Sequence, residues 1–296
     1  MLSEHIKKLE IIAEDSRTYD FGAAYPAHFL YLDGAGVPPV KRIQQRIPAQ
    51  HGTSDQGYRI DERKLTLALY MEARQADEAA VAALYDQLAY IFSPTETALK
   101  LRITRLDSAV RQIDCYVDGL FDFPQSDRLG GSVKLLVPLY APEPSFYNPT
   151  QRTQTASINA ASTTVNLDVS GTTYADFPII DVTGPASSLR IAATYANIDL
   201  RLQTAIPSGE TFRFDLRRGY KTVQRTSDSA NRMSYVNPTY LDALDSLKIL
   251  SAKELSNYKI LAGGSATNLM DFTITCSGTN ASSQVVFYWY DRYLSL

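Results

Sequence analysis

Beyond residue 155 nearly every segment of the chain alternates apolar and polar residues with a period of two. Gly, Ser, Thr and Asn punctuate the alternation: "TTVNLDVSG", "FPIIDVTGP", "SLRIAATYANIDLRLQTAIPSG", "ETFRFDLRRG", "NLMDFTITCSG" and "SSQVVFYWYDRYL". Successive side chains of a strand point to opposite faces, so each of these segments has one dry face and one wet face. One sheet of such strands cannot bury its dry face alone; two sheets laid face to face can. Many short strands with turns between them therefore predict an antiparallel β-sandwich over residues 151–296. One stretch departs from the pattern. In "PTYLDALDSLKILSAKELSNYKIL", Leu241, Leu244, Leu247, Leu250 and Leu255 recur at near-helical spacing, which reads as one or two short helices or an irregular excursion from the sandwich.

The break before this half is "YAPEPSFYNPTQRTQTAS", prolines followed by a polar Ser/Thr/Gln tract. It sets a domain boundary near residues 149–155, with one domain over 1–150 and another over 151–296, a division that 296 residues allow. In the first domain, Phe29 to Leu32 followed by "DGAG" reads as a short strand and a turn. "RKLTLALYMEA" sets Leu65, Leu67, Leu69 and Met71 against Lys64, Thr66, Ala68 and Tyr70, a half-buried strand. "ALKLRIT" alternates at Leu99, Leu101 and Ile103, "VRQIDCYVDG" at Ile113, Cys115 and Val117, and "GSVKLLVPLY" is a further apolar strand. Between them, "ADEAAVAALYDQLAYIFSP" places Val81, Leu84, Tyr85, Leu88, Ile91 and Phe92 on one helical stripe, with Asp77 as N-cap, Glu78 at the positive helix start and Pro94 as the stop. The fold class is mainly β with one clear helix: an N-terminal α+β domain followed by the sandwich.

Charge and composition narrow the function classes. Lys and Arg number 29 against 32 Asp and Glu, so no basic footprint for nucleic acid or anionic membrane is expected. Cys115 and Cys276 are too few for a disulfide framework and read as buried thiols. "MLSEHIKKLEIIAEDS" mixes charges among its apolar residues, unlike a secretory signal, and no run approaches the roughly 20 apolar residues of a membrane span. Tyr, at 19 residues, is abundant; its half-apolar, half-hydrogen-bonding ring suits interfaces and hints at assembly.

No pattern of catalytic chemistry emerges. His5, His28 and His51 lack metal-ligand spacing with one another, and no nucleophile elbow or phosphate-binding glycine loop is present, so no cofactor and no metal are expected. Paired carboxylates across a cleft would serve glycoside hydrolysis. Asp114, Asp118, Asp122, Asp215 and Asp291 are the candidates, against the plainer reading that Asp114 and Asp118 lie on the polar side of a strand and that Asp118-Gly119 is a turn. The aromatic row Phe287, Tyr288, Trp289, Tyr290 offers a sugar platform on one face only, because alternation splits Phe287 and Trp289 from the two tyrosines; the plainer reading puts the former pair in the core. Asn280-Ala281-Ser282 matches a glycosylation acceptor, which has no meaning without secretion. In "SGETFRFDLRRG", Phe212, Phe214 and Leu216 point one way and Arg213, Asp215 and Arg217 the other, a row that is either a contact site or a wet face whose charges pair along or across strands. Tyr288, Trp289, Tyr290, Arg213, Asp215 and Arg217 are the candidate surface or sugar contacts.

Taken in order, these segments resemble the distal tail proteins of long-tailed, siphovirus-type bacteriophages. The resemblance runs from about Phe29 to Leu296. It is carried by "FLYLDG", "RKLTLALYMEA", the capped helix with its Ser-Pro stop, "ALKLRIT" and "VKLLVPLYAPEPSFYNP", then by "FPIIDVTGPASSLRIAATYANIDLRLQTAIPSGETFRFDLRRG", "LAGGSATNLMDFTIT" and "VVFYWYDRYLSL". It implies a structural component of the tail tip or baseplate rather than an enzyme. Six copies would close a homohexameric ring through the N-terminal domains, and galectin-like sandwiches would project outward. The ring would sit between the tail tube and the tip or receptor-binding proteins, with DNA and the tape measure passing through its lumen; the protein would be made in the host cytoplasm and end in the virion. Two parts depart from the family pattern: residues 1–28 lack a counterpart, and Val223 to Leu261 is longer than the expected hairpin region and reads as a contact specific to this phage. The alternative function is a carbohydrate-binding sandwich used in host recognition; the sequence after residue 150 contains no His, a residue that galectin-type sugar sites use beside their Trp.

Overall fold

The computed structural model describes residues 6–22, 27–45, 54–72, 78–94, 96–119, 132–193, 195, 198–237, 239, 243–261 and 268–296. The chain divides into two compact units, Met1–Pro149 together with Leu294–Leu296, and Thr150–Tyr293. The mainly β reading with one clear helix is met: antiparallel strands dominate both units.

In the first unit the alternating segments become β1 (Ile6–Ile12), β2 (Thr18–Asp20), β3 (Ala27–Asp33), β4 (Val40–Gln45), β5 (Ser54–Ile60), β6 (Arg63–Glu72), β7 (Leu99–Arg105), β8 (Val110–Val117), β9 (Ser132–Ala141) and β10 (Phe146–Tyr147), with helix α1 (Glu78–Ile91) between β6 and β7. The main sheet runs β2-β1-β7-β8-β9-β6-β3, and β10 joins β8 through Tyr147 opposite Gln112. Its dry face collects Leu9 and Ile11, Leu65, Leu67 and Leu69, Leu101 and Ile103, Ile113 and Cys115, and Val137 and Leu139. Each side chain of this size contributes about 1.5–3 kcal/mol when fully buried. Helix α1 buries Leu88 and Ile91, keeps Leu84 and Tyr85 half-buried and exposes its opposite side, as the 3.6-residue period requires. Phe92, just past its end, stacks on Phe21 with ring centres 6.3 Å apart. Asp77, the expected N-cap, lies outside the described residues. Among the described residues, β4 and β5 pair only with each other, as a separate two-stranded sheet.

The second unit contains β11 (Arg152–Ser157), β12 (Ser162–Asp168), β13 (Ile179–Thr183), β14 (Ser187–Ala193), β15 (Ile198–Arg201), β16 (Thr211–Asp215), β17 (Thr222–Arg225), helices α2 (Ala243–Ser246) and α3 (Ala252–Leu261), β18 (Leu269–Ser277) and β19 (Gln284–Trp289). They form a five-stranded sheet, β11-β19-β13-β16-β17, and a four-stranded one, β12-β18-β14-β15. One core joins the two: Phe272 of β18 meets Phe287 of β19 at 4.9 Å between ring centres, among Val165, Ile191, Ile180, Phe212 and Phe214.

One segment differs from the sequence reading and another meets it. The polar tract taken as part of the break is strand β11, paired residue for residue with β19 from Arg152↔Trp289 to Ser157↔Gln284. Backbone N–H and C=O groups make the ladder whatever the side chains are, and an edge strand exposed along most of its length needs no apolar alternation. The leucine-rich stretch forms α2 and α3, as its near-helical spacing allowed, and Leu244, Leu247, Leu250 and Leu255 enter the sandwich core. Leu241 lies outside the described residues. Ser251 and Glu254 close a capping box at the start of α3: Glu254 N donates to Ser251 Oγ at 3.2 Å and Ser251 N to Glu254 Oε2 at 2.9 Å.

Candidate interaction surfaces

Alternation in β16 sends Phe212 and Phe214 into the core and Arg213 and Asp215 to the opposite face. Register then selects the partners. Asp181 of β13 stands directly across from Arg213, and the guanidinium grips it with Nε and Nη2 donating to Oδ1 and Oδ2 at 2.8 and 2.7 Å. Arg217, just beyond the strand, folds back on Asp215 in the same way at 2.9 and 2.6 Å. The row thus pairs both across and along strands. Asp181 and Asp215 are only 7% and 6% exposed although they sit on the outer face, because the arginines lie over them. These carboxylate bonds, opposed by burial, raise the affinity of Arg213 and Arg217 for their protons. Arg213 also lies 6.0 Å from the centre of the Tyr288 ring, and Arg217 lies 4.5 Å from that of Tyr220.

The aromatic row divides as its period demands. Phe287 and Trp289 point inward, and Tyr288 and Tyr290 stay half-buried on the other face. Trp289 is 3% exposed, so its ring offers no platform, and its assignment as a surface or sugar contact is corrected to that of a core residue. Its Nε1 is buried with no acceptor among the described residues.

The carboxylates proposed for hydrolysis are dispersed and occupied. Asp114 accepts from Tyr147 Oη at 2.7 Å, and the same hydroxyl accepts from the nearly buried Gln112 at 2.6 Å. Asp118 stands 3.9 Å from Lys64, beside Gly119 with φ of 102°, as the turn reading expects. Asp291 is buried between Arg152 Nε at 2.8 Å and Thr172 Oγ1 at 3.0 Å. Asp122, His5 and His51 lie outside the described residues. His28 Nδ1 is bonded to the Gly22 carbonyl at 3.0 Å. Among the described residues no cluster of His, Cys, Asp or Glu could hold a metal ion. Both cysteines are buried free thiols, and burial pushes the Cys115 pKa up to about 12.

Sequence reasoning missed Arg63. It is 1% exposed and makes a carbonyl cage: Nε donates to Pro144 O at 2.8 Å, Nη1 to Gly34 O at 2.7 Å and Gly36 O at 2.6 Å, and Nη2 to Leu294 O at 2.7 Å. Its guanidinium also covers the Phe146 ring at 4.8 Å. Burial lowers its pKa to about 10, which leaves it cationic at neutral pH. A signal was present in the sequence, since Arg63 has the same parity in β6 as Leu65, Leu67 and Leu69 and must share their dry face.

No sequence pattern singled out the β4–β5 hairpin. All of β4 is exposed and nothing in β5 is buried, and Val40, Ile43 and Tyr58 are 48%, 49% and 60% exposed. Arg42 bridges to Asp55 across the hairpin at 2.8 Å and lies 5.8 Å from the centre of the Tyr58 ring. A two-stranded ribbon with exposed branched residues and no third strand among the described residues gains little stability of its own.

No protein-family model and no curated protein matches the chain. Among solved structures, the chain is similar to the Dit protein of phage SPP1, described as a paradigm of the hub adsorption apparatus in phages that infect Gram-positive bacteria: 12% identity, 96% of this chain and 99% of that one covered, TM-score 0.64. It is also similar to a chain of the phage P2 baseplate in its activated conformation with calcium, at 8% identity, 98% and 99% coverage and a TM-score of 0.50. The order of segments that suggested a distal tail protein is thus matched in three dimensions over nearly the whole length of both chains, and the protein has the fold of a phage tail hub protein.

Proposed function

We propose that the protein is a structural subunit of a phage tail tip or baseplate. It would close a homohexameric ring through its first unit, joining the tail tube to tip and receptor-binding proteins and leaving a lumen for DNA. The observation that carries this reading is the hub fold over 96% of the chain. The sandwich, read as galectin-like, would project outward. A ring needs heterologous contacts, in which one patch of a subunit meets a different patch of the next. The first unit has two unlike patches to offer. One is the exposed hairpin with Val40, Ile43 and Tyr58. The other is the solvent side of its sheet, which carries Tyr31, Tyr70, Tyr116 and Tyr140 together with Leu136, itself 46% exposed. Acidic residues outnumber basic ones in residues 1–149, which suits a lumen that lets DNA slide rather than holding its phosphates. The carbohydrate-binding reading loses Trp289 to the core and keeps only the half-buried Tyr288 and Tyr290 as aromatic contacts.

Native mass spectrometry of the full chain at micromolar concentration tests the ring, together with negative-stain microscopy. We expect a hexamer, and we expect Ile43→Glu with Tyr58→Glu to give monomers that keep the parent's far-UV circular dichroism spectrum while melting lower, since they lose the stabilisation that assembly adds. A strict monomer across salt and concentration, without rings on the grid, would overturn the reading.

A further inference from the structure

No residue of the β4–β5 ribbon is buried, and among the described residues it pairs with no third strand, so its direction is set where it leaves the sheet. Two stems connect it. Residues 34–39 lead out from β3, and Asp61 and Glu62 return to β6, with Asp61 N donating to Pro39 O at 3.0 Å across the base. The first stem is gripped at three successive carbonyls. Arg63 Nη1 donates to the Gly34 and Gly36 oxygens, and Leu296 N donates to that of Ala35 at 3.2 Å. Ala35 itself is fully buried, and a Cβ at Gly34 would stand 2.2 Å from Lys64 O, so this stem lies against the start of β6. Arg63, which follows the second stem, also donates from Nη2 to Leu294 O. One guanidinium thus joins both stems to a segment 231 positions further along the chain.

We propose that Leu294–Leu296 is a strap that aims the β4–β5 ribbon for docking. While it is seated the ribbon projects in one direction; when it leaves, the ribbon swings on its stems with the sheet still folded. Three features carry this. The gripped stem has a glycine on each side of Ala35, and Gly34, at φ of 79°, already uses backbone freedom that only glycine has in full, so this is where the chain turns once released. Pro38 and Pro39 stiffen the rest of the stem, so a turn at the glycines is passed on to the ribbon. The strap is held through Leu294 O and Leu296 N with its side chains half-buried or exposed, whereas the sheet is held by the buried rows of β6, β7 and β9; the strap therefore opens before the sheet does. The inference deepens the ring reading and rests on it only for what the ribbon touches. A ribbon aimed before its neighbour arrives loses less freedom on docking.

The test uses the full chain with nitroxide labels at Gln44→Cys on the ribbon and Lys100→Cys on the sheet, both exposed positions; Cys115 and Cys276 are buried and escape labelling. Double electron–electron resonance then reads the distance from ribbon to sheet, in the Ile43→Glu, Tyr58→Glu background so that no neighbouring subunit holds the ribbon. With the strap in place the distance distribution is narrow. Deleting Leu294–Leu296 broadens it about twofold or more while the far-UV circular dichroism spectrum stays that of the strapped protein. Leu296→Pro removes the N–H that Ala35 O accepts and keeps the Leu294 carbonyl; it broadens the distribution too, and covers the case in which the truncated chain fails to fold. Ile103→Val weakens the same unit from its core and leaves the distribution narrow, which separates aiming from a general loss of stability. With Ile43 and Tyr58 restored, the truncated chain needs about tenfold more protein to form hexamers in native mass spectrometry. A broad distribution in the strapped protein overturns the proposal, as does one that neither variant changes or that Ile103→Val broadens equally. Hexamers that form as readily without the strap sink this inference alone; a monomeric parent that still shows the narrow-to-broad change sinks only the ring.

Discussion

Replacing Arg63 by Met keeps the length and bulk of the side chain while removing its charge and its donors. Four carbonyls then lose their partner. The Pro144 oxygen is fully buried and costs about 1–3 kcal/mol when left unsatisfied; the other three are partly accessible and lose about 0.5–1.5 kcal/mol each. Loss of the cation over Phe146 adds about 0.5–1 kcal/mol. Against this, desolvation holds the parent guanidinium near pKa 10, well below its ordinary value, a burial penalty of about 3 kcal/mol that Met does not incur. The difference predicts that Arg63→Met destabilises the first unit by about 3 kcal/mol. Because the chain has two units, a single melting temperature would mix them; hydrogen exchange on β6 and β9 peptides by mass spectrometry reports the first unit alone. Deleting Leu294–Leu296 removes the acceptor of Nη2 and also the bond from Leu296 N to Ala35 O at 3.2 Å. In a double-mutant cycle the two changes share one hydrogen bond, so the combined loss falls short of the sum by about 0.5–1.5 kcal/mol. An Arg63→Met protein as stable as the parent, with the two changes fully additive, would refute the cage as a stabilising element.

Gly171→Ala places a Cβ 2.3 Å from Asp291 Oδ2 and 3.0 Å from Arg152 Nη2, so the buried carboxylate has to move; a loss of about 2–4 kcal/mol is expected in the second unit, whereas Gly36→Ala, with nothing within 4 Å, melts like the parent. Cys115 retains its proton in the folded state to about pH 12, against 9.0 for an exposed thiol, so it resists Ellman's reagent at pH 8 until guanidinium unfolds the chain. Folding holds the Cys115 proton more tightly than unfolding does, so its contribution to stability is complete below pH 9 and lost as pH rises toward 12; Cys115→Ala flattens that decline in alkaline melts.

Much of this was legible one residue at a time. Alternation named the inward residues of β6, β7, β16 and β19 and already separated Trp289 from its flanking tyrosines. The three- and four-residue spacing located α1 and its buried stripe. The outward direction of Arg213, Asp215 and Arg217 was likewise local. What those arginines hold was not. Asp181 lies more than thirty positions away in the chain and faces Arg213 only because β13 and β16 pair in one register. The polar tract Arg152–Ser157 became a strand for a related reason: its partner is β19, at the far end of the unit, and the ladder is made by backbone groups that carry no side-chain signature.

The sequence by itself determined which face of each strand is dry, where the helix runs and that cationic, nucleotide-binding and metal-ligand patterns are lacking, because those properties follow from residue type and a period of two or 3.6. Only the tertiary structure decided that Arg63 ends in a cage of four carbonyls, that the leucines beyond residue 243 complete the sandwich core and that the β4–β5 hairpin stays uncovered. Periodicity tells a side chain which way to point; what it meets there depends on segments whose distance along the chain bears no relation to their distance in space.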